Sequence, residues 1–146
     1  MNPITLWQFW AILAAVFAAL TAIFAKVGVA DIDSDLATFV RTIVILLVLT
    51  AILIVTGKLD LASVFNLSRR SLLFLILSGM ATGASWLCYF RALKLGNASQ
   101  VAPIDKLSVV LVAVFGATFL GEQVSGMSWF GVALIGIGAV FVAISG

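Results

Sequence analysis

The hydrophobic positions of this chain form long unbroken runs, and short polar segments between the runs contain most of the charged residues. A helix that crosses the hydrocarbon core of a bilayer needs about 20 apolar residues, at a rise of about 1.5 Å each. Five segments meet that length, and none alternates apolar with polar positions as a barrel strand would. We therefore predict an all-α integral membrane protein with five transmembrane helices, at about residues 6–25, 36–56, 72–90, 98–120 and 128–144.

The ends of these runs contain residues that start and stop helices. Residues 33–35 (Asp-Ser-Asp) precede the second helix, where a side-chain oxygen caps free backbone N–H groups. Asn97 or Ser99 can cap the fourth helix, and Gln100 lies three residues after Asn97 at the spacing of a capping box. Gly57 and Gly121 stand where C-terminal cap glycines belong. Because every connection between helices is short, we predict one domain over residues 1–146.

Small residues recur within three of the predicted helices. In lipid, helices associate by close packing of such residues rather than by the hydrophobic effect. The alanine rows of the first helix and the pair Gly79 and Gly83 of the third are expected to pack within one chain. For the fifth helix, with Gly131, Gly136 and Gly138, a subunit interface is a competing interpretation.

Composition excludes several classes of function. The chain is 64% hydrophobic and 10% charged, whereas soluble domains have about 25% charged residues. The net charge of +2 is spread thinly, so we expect the lipid bilayer as a partner and no nucleic acid. Histidine is absent and there is one cysteine, so imidazole or thiolate metal sites are excluded. No nucleophile–base pair or phosphate loop is present, so we predict no enzyme activity and no cofactor.

Ionisable residues inside the predicted spans are the first candidates for function, because each costs about 2.5–3.5 kcal/mol at the bilayer centre. Arg41, Asp105 and Lys106 are such residues, and the alternation of five spans brings them toward one side of the membrane. They would form a positively charged vestibule for a carboxylate or phosphate, with Arg41 as the strongest candidate and Pro103 as a bending point. In the alternative, Asp105 pairs with Arg41 or Arg91, and the lysines reach lipid headgroups.

The third helix has a second polar feature. Ser78, Thr82, Ser85 and Tyr89 are spaced i, i+4, i+7 and i+11, so their hydroxyls share one helix face, and Trp86 lies beside them. In a water-lined cavity these residues would contact substrate. The alternative is that the hydroxyls bond back to carbonyls one turn earlier, which is common in membrane helices.

Several of these segments resemble a known family. The runs Trp86–Leu93, Ala98–Lys106 and Phe119–Glu122 are similar to the EamA-type repeat of the drug/metabolite transporter superfamily, and residues 26–41 resemble its first hairpin. The resemblance covers essentially the whole chain and one repeat. It implies a multi-pass transporter of the plasma (inner) membrane.

The resemblance also implies a partner. Larger members have ten helices, built as two inverted repeats around a central cavity, and this chain has one repeat. Two copies in opposite orientations would restore that arrangement. The basic residues do not favour either orientation, because the two sides of the membrane receive nearly equal numbers: Lys58, Arg69 and Arg70 against Lys26, Arg91 and Lys94, with Arg41 and Lys106 further inside the spans. We therefore predict an antiparallel homodimer of dual topology.

The leading functional hypothesis is a secondary transporter or exporter of a small-molecule metabolite, working by alternating access. Arg41 and the polar face of the third helix would line its site, with Asp105 and Lys106 as gate or ion-pair elements. The competing hypothesis is a non-transporting subunit, or a helper for a lipid-linked substrate, working with a partner membrane protein. A third, a four-helix cation exporter with an added helix, would need Asp105 as its titrating carboxylate.

Overall fold

The computed structural model describes residues 4–60 and 67–145. All regular secondary structure in these residues is helical: α1 (Ile4–Gly28), α2 (Ser34–Val55), α3 (Arg69–Leu95), α4 (Ala98–Asp105), α5 (Ser108–Phe119) and α6 (Gly126–Ile144). Within the described ranges, five helical segments are long and apolar enough to cross a membrane, and α4 with α5 forms the fourth of them. For the described residues, the prediction of an all-α chain with five helices able to span a membrane is confirmed.

The helices extend further than the apolar runs that predicted them. The helix α1 continues through Lys26 to Gly28, and α3 runs from Arg69 to Leu95 rather than from 72 to 90. Long basic side chains can stay on a helix where it leaves the hydrocarbon, because their charged ends reach the polar interface. The polar residues at these boundaries therefore prolong the helices instead of ending them.

The described residues cluster into two compact units. One consists of residues 1–27 and 92–146 and so contains α1 with α4, α5 and α6; the other, residues 28–91, contains α2 with most of α3. A single domain over the full length of the chain stays a prediction.

Side-chain capping is confirmed at α2 but not at α4. Asp33 Oδ1 accepts hydrogen bonds from the backbone N–H groups of Asp35 and Leu36, at 2.9 and 3.0 Å. Asn97 occupies the N-cap position of α4, but its side chain makes no capping hydrogen bond. Its backbone carbonyl accepts from Gln100 N–H at 3.0 Å instead. The capping-box prediction was therefore wrong, because the N–H that the side chain would have satisfied already has a backbone acceptor.

Both predicted C-terminal cap glycines are confirmed. Gly57 has φ +64° and Gly121 has φ +68°, in the left-handed region that favours glycine. After α2, Lys58 N–H donates to Leu53 O at 2.9 Å and Gly57 N–H donates to Ile54 O at 3.0 Å. This pair of bonds is a Schellman motif, and it satisfies carbonyls that the last helical turn leaves free.

The fourth span is interrupted, whereas the sequence predicted one continuous helix over 98–120. The helix α4 ends at Asp105 and α5 begins at Ser108. Between them, Lys106 N–H is shared between the carbonyls of Ala102 and Pro103, at 3.2 and 3.0 Å. Pro103 has no N–H to donate to the carbonyl one turn earlier, and the chain tightens after it into i→i+3 bonds. The interruption comes two residues after the predicted bending point.

Close packing between α5 and α6 depends on a glycine. A Cβ added at Gly136 would lie 3.2 Å from Val110 Cγ2, so only glycine lets the two helices approach this closely without a shift. At Gly131 and Gly138 an added Cβ would meet no described atom within 4 Å. In α6, Gly136 therefore makes a close contact with α5, whereas no described atom lies near Gly131 and Gly138.

The predicted internal packing of the small residues in α1 and α3 is seen only in part. At Gly79 and Gly83 an added Cβ would meet no described atom of residues 28–91 within 4 Å, so packing of this pair within one chain stays a prediction. In α1, Ala22 and Ala25 are buried, but the alanines earlier in the helix are exposed.

Lys26 binds the end of another helix rather than reaching a lipid headgroup. Its Nζ donates to Leu93 O at 2.6 Å and to Gly96 O at 2.7 Å. These carbonyls belong to the last turn of α3 and the residue that follows it, where helical carbonyls lack intrahelical donors. A cation there also interacts favourably with the helix dipole. Lys26 thus attaches α1 to the C-terminal end of α3.

We expect Lys26→Met to lower the thermal stability of the purified protein in detergent, because two charge-assisted hydrogen bonds are lost and two carbonyls are left without donors. A loss of about 2 kcal/mol corresponds to a fall of at least ~4 °C in Tm. Lys58→Met is the matched control, since it removes the same charge from an exposed turn. Equal Tm values for the two variants would contradict the capping role of Lys26.

Candidate functional site

Arg41 is held against an aromatic surface within the unit formed by residues 28–91. It lies seven residues after Ser34, the first residue of α2, and so about 10 Å along the helix from its start. Its Cζ lies 4.0 Å from the ring centroid of Trp86 and 5.4 Å from that of Phe90, both in α3. A guanidinium over an aromatic face gains about 0.5–2 kcal/mol, more as the site is desolvated. Two of the residues that the sequence singled out separately, Arg41 and Trp86, are therefore in contact.

Arg41 has no anionic partner in the described part of the chain. The ion pairs there join Arg91 with Asp35 and Lys106 with Asp105. The Arg41 side chain is half-buried. Its guanidinium lies over the rings of Trp86 and Phe90 and interacts electrostatically with Tyr89. Within residues 28–60 and 67–91, no carboxylate therefore neutralises the charge of this guanidinium.

The face of α2 that contains Arg41 is polar from the start of the helix. Ser34 and Thr38 precede Arg41 by seven and three residues, so the three share one helix face. Ser34 and Thr38 are buried, with exposed fractions of 7% and 5%. The Thr38 hydroxyl donates to Ser34 O at 2.9 Å, and the Thr42 hydroxyl donates to Thr38 O at 2.8 Å. These hydroxyls satisfy themselves on their own helix and leave Arg41 as the group with free donors.

An ion pair lies nearer the end of the same two helices. Arg91 donates to Asp35 through Nε at 3.0 Å and through Nη2 at 2.6 Å, one bond to each carboxylate oxygen. Two parallel bonds of this kind fix the orientation as well as the distance of the pair. Asp35 is six residues before Arg41, or about 9 Å along α2. Asp35 and Arg91 cancel each other's charge, and this partner of Arg91 differs from the Asp105 that the sequence suggested.

On the hydroxyl face of α3, one hydroxyl bonds back to its own helix and two others do not. The Thr82 hydroxyl donates to Ser78 O at 2.9 Å, which is the back-bonding alternative. The side chains of Ser78 and Ser85 are exposed, and no described residue forms a hydrogen bond with their hydroxyls. Tyr89 is half-exposed. Part of this face therefore keeps hydroxyls available, and substrate contact stays a prediction.

The other predicted site residues belong to the unit of residues 1–27 and 92–146. Lys106 Nζ lies 3.0 Å from Asp105 Oδ2, so these neighbours pair with each other. Both flank the interruption between α4 and α5, and Pro103 lies inside α4 just before it. The structure thus places all three at one break in a transmembrane segment.

Three features of this arrangement were missed from the sequence. They are the second ring over Arg41, from Phe90; the buried Thr38; and the pairing of Asp35 with Arg91. The i, i+4, i+7 spacing of Ser34, Thr38 and Arg41 was a detectable signal for the polar face of α2. The other two depend on how α2 and α3 are rotated, which no local pattern specifies.

The arrangement is better suited to binding an anion than to making or breaking covalent bonds. A cation is fixed by aromatic rings on a membrane-spanning helix, and the hydroxyls beside it are engaged with backbone carbonyls. In the described residues no group of three or more histidine, cysteine, aspartate or glutamate side chains could hold a metal ion.

Comparisons with known proteins agree with the transporter hypothesis. Residues 5–144 match the EamA-like transporter family. A Sinorhizobium protein named "Uncharacterized transporter in cobO 3'region" is 61% identical over 138 residues, which cover 94% of this chain and 96% of that protein. No solved structure matches. The chain therefore belongs to the EamA-like transporter family, and it is a membrane transporter rather than an enzyme.

Proposed function

We propose that this protein moves a small metabolite across the membrane by alternating access in an antiparallel homodimer, with Arg41 in the substrate site. Family membership supports the transport part of this proposal. The observation that supports the site most strongly is the half-buried guanidinium of Arg41, placed on Trp86 within a membrane-spanning helix.

The energetic cost of Arg41 favours a functional role. An arginine within a span costs about 2.5–3.5 kcal/mol on insertion scales, and contact with a ring recovers only about 0.5–2 kcal/mol. A carboxylate would offset the remainder, but none of the described residues between positions 28 and 91 supplies one to Arg41. We infer that the missing counter-charge comes from the transported molecule.

The five spans of the described residues support the proposed dimer. One five-span repeat corresponds to half of the inverted pair that surrounds the cavity in many transporters. The basic residues on the two sides of the membrane are nearly balanced, so insertion in both orientations is allowed. The open faces at Gly79 and Gly83 of α3 leave small-residue surface for a second copy.

The interruption in the fourth span supports a role in gating. Discontinuous helices in transporters often lie beside the substrate. Here the break contains the Asp105–Lys106 pair, and Pro103 precedes it. We assign Pro103 to a hinge and the ion pair to a gate, while Ser78, Ser85 and Tyr89 provide further substrate contacts. The bacterial relative supports a plasma (inner) membrane location.

The non-transporting subunit is less well supported. The family match and the name of the Sinorhizobium relative both refer to transport, and no observation on this chain favours a helper for a lipid-linked substrate.

We expect Arg41→Ala to abolish transport and leave the dimer intact, because the guanidinium contributes a ligand contact and not a contact between the subunits. Cells that overproduce the wild-type chain should differ from empty cells in the metabolites of the medium and the cytoplasm, as measured by mass spectrometry. Cells with Arg41→Ala should match empty cells, and the purified variant should elute as a dimer of wild-type size.

The matched pair Arg41→Lys and Arg70→Lys separates geometry from charge, since both variants preserve the charge that sets topology. Arg41→Lys should lose most of the transport, because lysine lacks the planar fork of donors, and Arg70→Lys should behave as wild type. Undiminished transport by Arg41→Ala would remove Arg41 from the site, and a loss of the dimer would make its role structural.

We expect both ends of the chain to be found on both sides of the membrane. Single cysteines at residue 2 or 146, outside the described residues, are placed in a Cys88→Ser background. An impermeant thiol reagent applied to intact cells should label each position to about half, because the weak charge bias does not select one orientation. Complete labelling of one end and none of the other would exclude the antiparallel homodimer.

A further inference from the structure

The contact with Trp86 fixes the Arg41 guanidinium without consuming its hydrogen-bond donors. Cζ lies 4.0 Å from the centroid of the indole and 5.4 Å from that of Phe90. The attraction is between a cation and the face of a ring, whereas the N–H donors lie in the guanidinium plane and need an acceptor there. No described residue accepts a hydrogen bond from this side chain. The group is therefore positioned by its rings and still has donors for a ligand.

Beside Trp86, residues 28–91 of one copy offer a ligand a single positive charge, that of Arg41. Within the same unit, Arg91 is bound through two hydrogen bonds to Asp35. The remaining basic residues of this unit, at positions 58, 69 and 70, lie at the opposite ends of α2 and α3. One Arg41 neutralises a monoanion, whereas a dianion needs a second positive charge in a low-dielectric site.

The threonine hydroxyls of α2 and α3 near this site do not supply further donors. Thr38 donates to Ser34 O at 2.9 Å, and Thr82 donates to Ser78 O at 2.9 Å. A tetrahedral phosphate has more anionic oxygens than one guanidinium edge can satisfy. A carboxylate has two oxygens, which match two parallel N–H groups of the fork.

We propose that Arg41 binds a singly charged carboxylate group of the substrate across its N–H edge, and that Trp86 is the positioning residue that holds the guanidinium for it. This inference rests on the proposed transport function and narrows its substrate class to carboxylate-bearing metabolites. Phe90 provides a second, more distant ring for the same cation.

Acetate tests the anion class, because it is a small carboxylate that its size does not exclude from the site. The purified protein in a maltoside detergent without phospholipid is treated with phenylglyoxal, and modification of each arginine is followed by peptide mass spectrometry. At constant ionic strength, acetate should slow modification of Arg41 by at least ~fivefold, because a bound carboxylate covers the reactive nitrogens. Arg69 and Arg70 in the same molecules are the controls and should change by less than ~1.5-fold, since exposed contacts are weak.

Three outcomes would overturn the carboxylate assignment. Acetate could protect Arg41 no better than Arg69 and Arg70. Inorganic phosphate could protect Arg41 at lower concentrations than acetate does. Protection could require vesicles of phosphatidylglycerol and be absent with acetate in detergent, which would identify a lipid headgroup as the anion at this site.

The positioning role is tested with Trp86→Phe and Trp86→Leu. The acetate concentration that gives half-maximal protection of Arg41 should rise at least ~tenfold in Trp86→Leu and less than ~threefold in Trp86→Phe, because phenylalanine keeps a π face for the cation. Tm and dimer size are measured on both variants. A half-protecting concentration that stays at the wild-type value in Trp86→Leu, or that rises equally in both variants, would contradict the role of the ring.

The binding and transport results can fail separately. Metabolite changes that depend on the wild-type chain, without protection of Arg41 by acetate, would leave the transport function in place and remove the carboxylate site. Protection by acetate without any metabolite change would confirm the anion site and remove the proposed transport of a metabolite.

Discussion

A hydrocarbon environment contains no water to satisfy a backbone carbonyl or a charge, so each polar group must find its partner within the protein or at the interface. Within each helix, backbone hydrogen bonds satisfy the N–H and carbonyl groups. At the helix ends, capping residues satisfy the groups that have no partner within the helix. Asp33 binds free N–H groups at the start of α2, and the turn at Gly57 binds free carbonyls at its end. At the end of α3, Lys26 of α1 donates hydrogen bonds to the carbonyls of Leu93 and Gly96.

The same constraint separates the charged side chains into two groups. Arg91 and Lys106 have carboxylate partners, and Lys26 has carbonyl partners. These groups are balanced and stabilise helix ends. Arg41 is different, because its contacts are aromatic faces that attract a cation without neutralising it. In the function proposed above, this unneutralised charge is what the site offers to an anionic solute.

Local features of the fold were predictable from the sequence, and features that join distant helices were not. The number of spans and a cap such as Asp33 depend on residues within one or two turns of each other. Arg41 and Trp86 were each identified from their chemistry, but their contact depends on the rotation of two nearly all-apolar helices. Asp35 was assigned to the helix start alone, because capping is a local pattern and its bond to Arg91 spans 56 residues.

The attachment of Lys26 to the end of α3 has a consequence for the synthesis of the protein. Its acceptors, Leu93 and Gly96, follow it by 67 and 70 residues. At about 5–20 residues per second, a ribosome takes about 3–13 s to produce that stretch. During this interval the first two helices leave the exit tunnel with the ammonium of Lys26 and the guanidinium of Arg41 both lacking their partners. The nascent hairpin must therefore stay beside water or the insertion machinery until α3 arrives, and the order of translation becomes part of how this chain enters the bilayer.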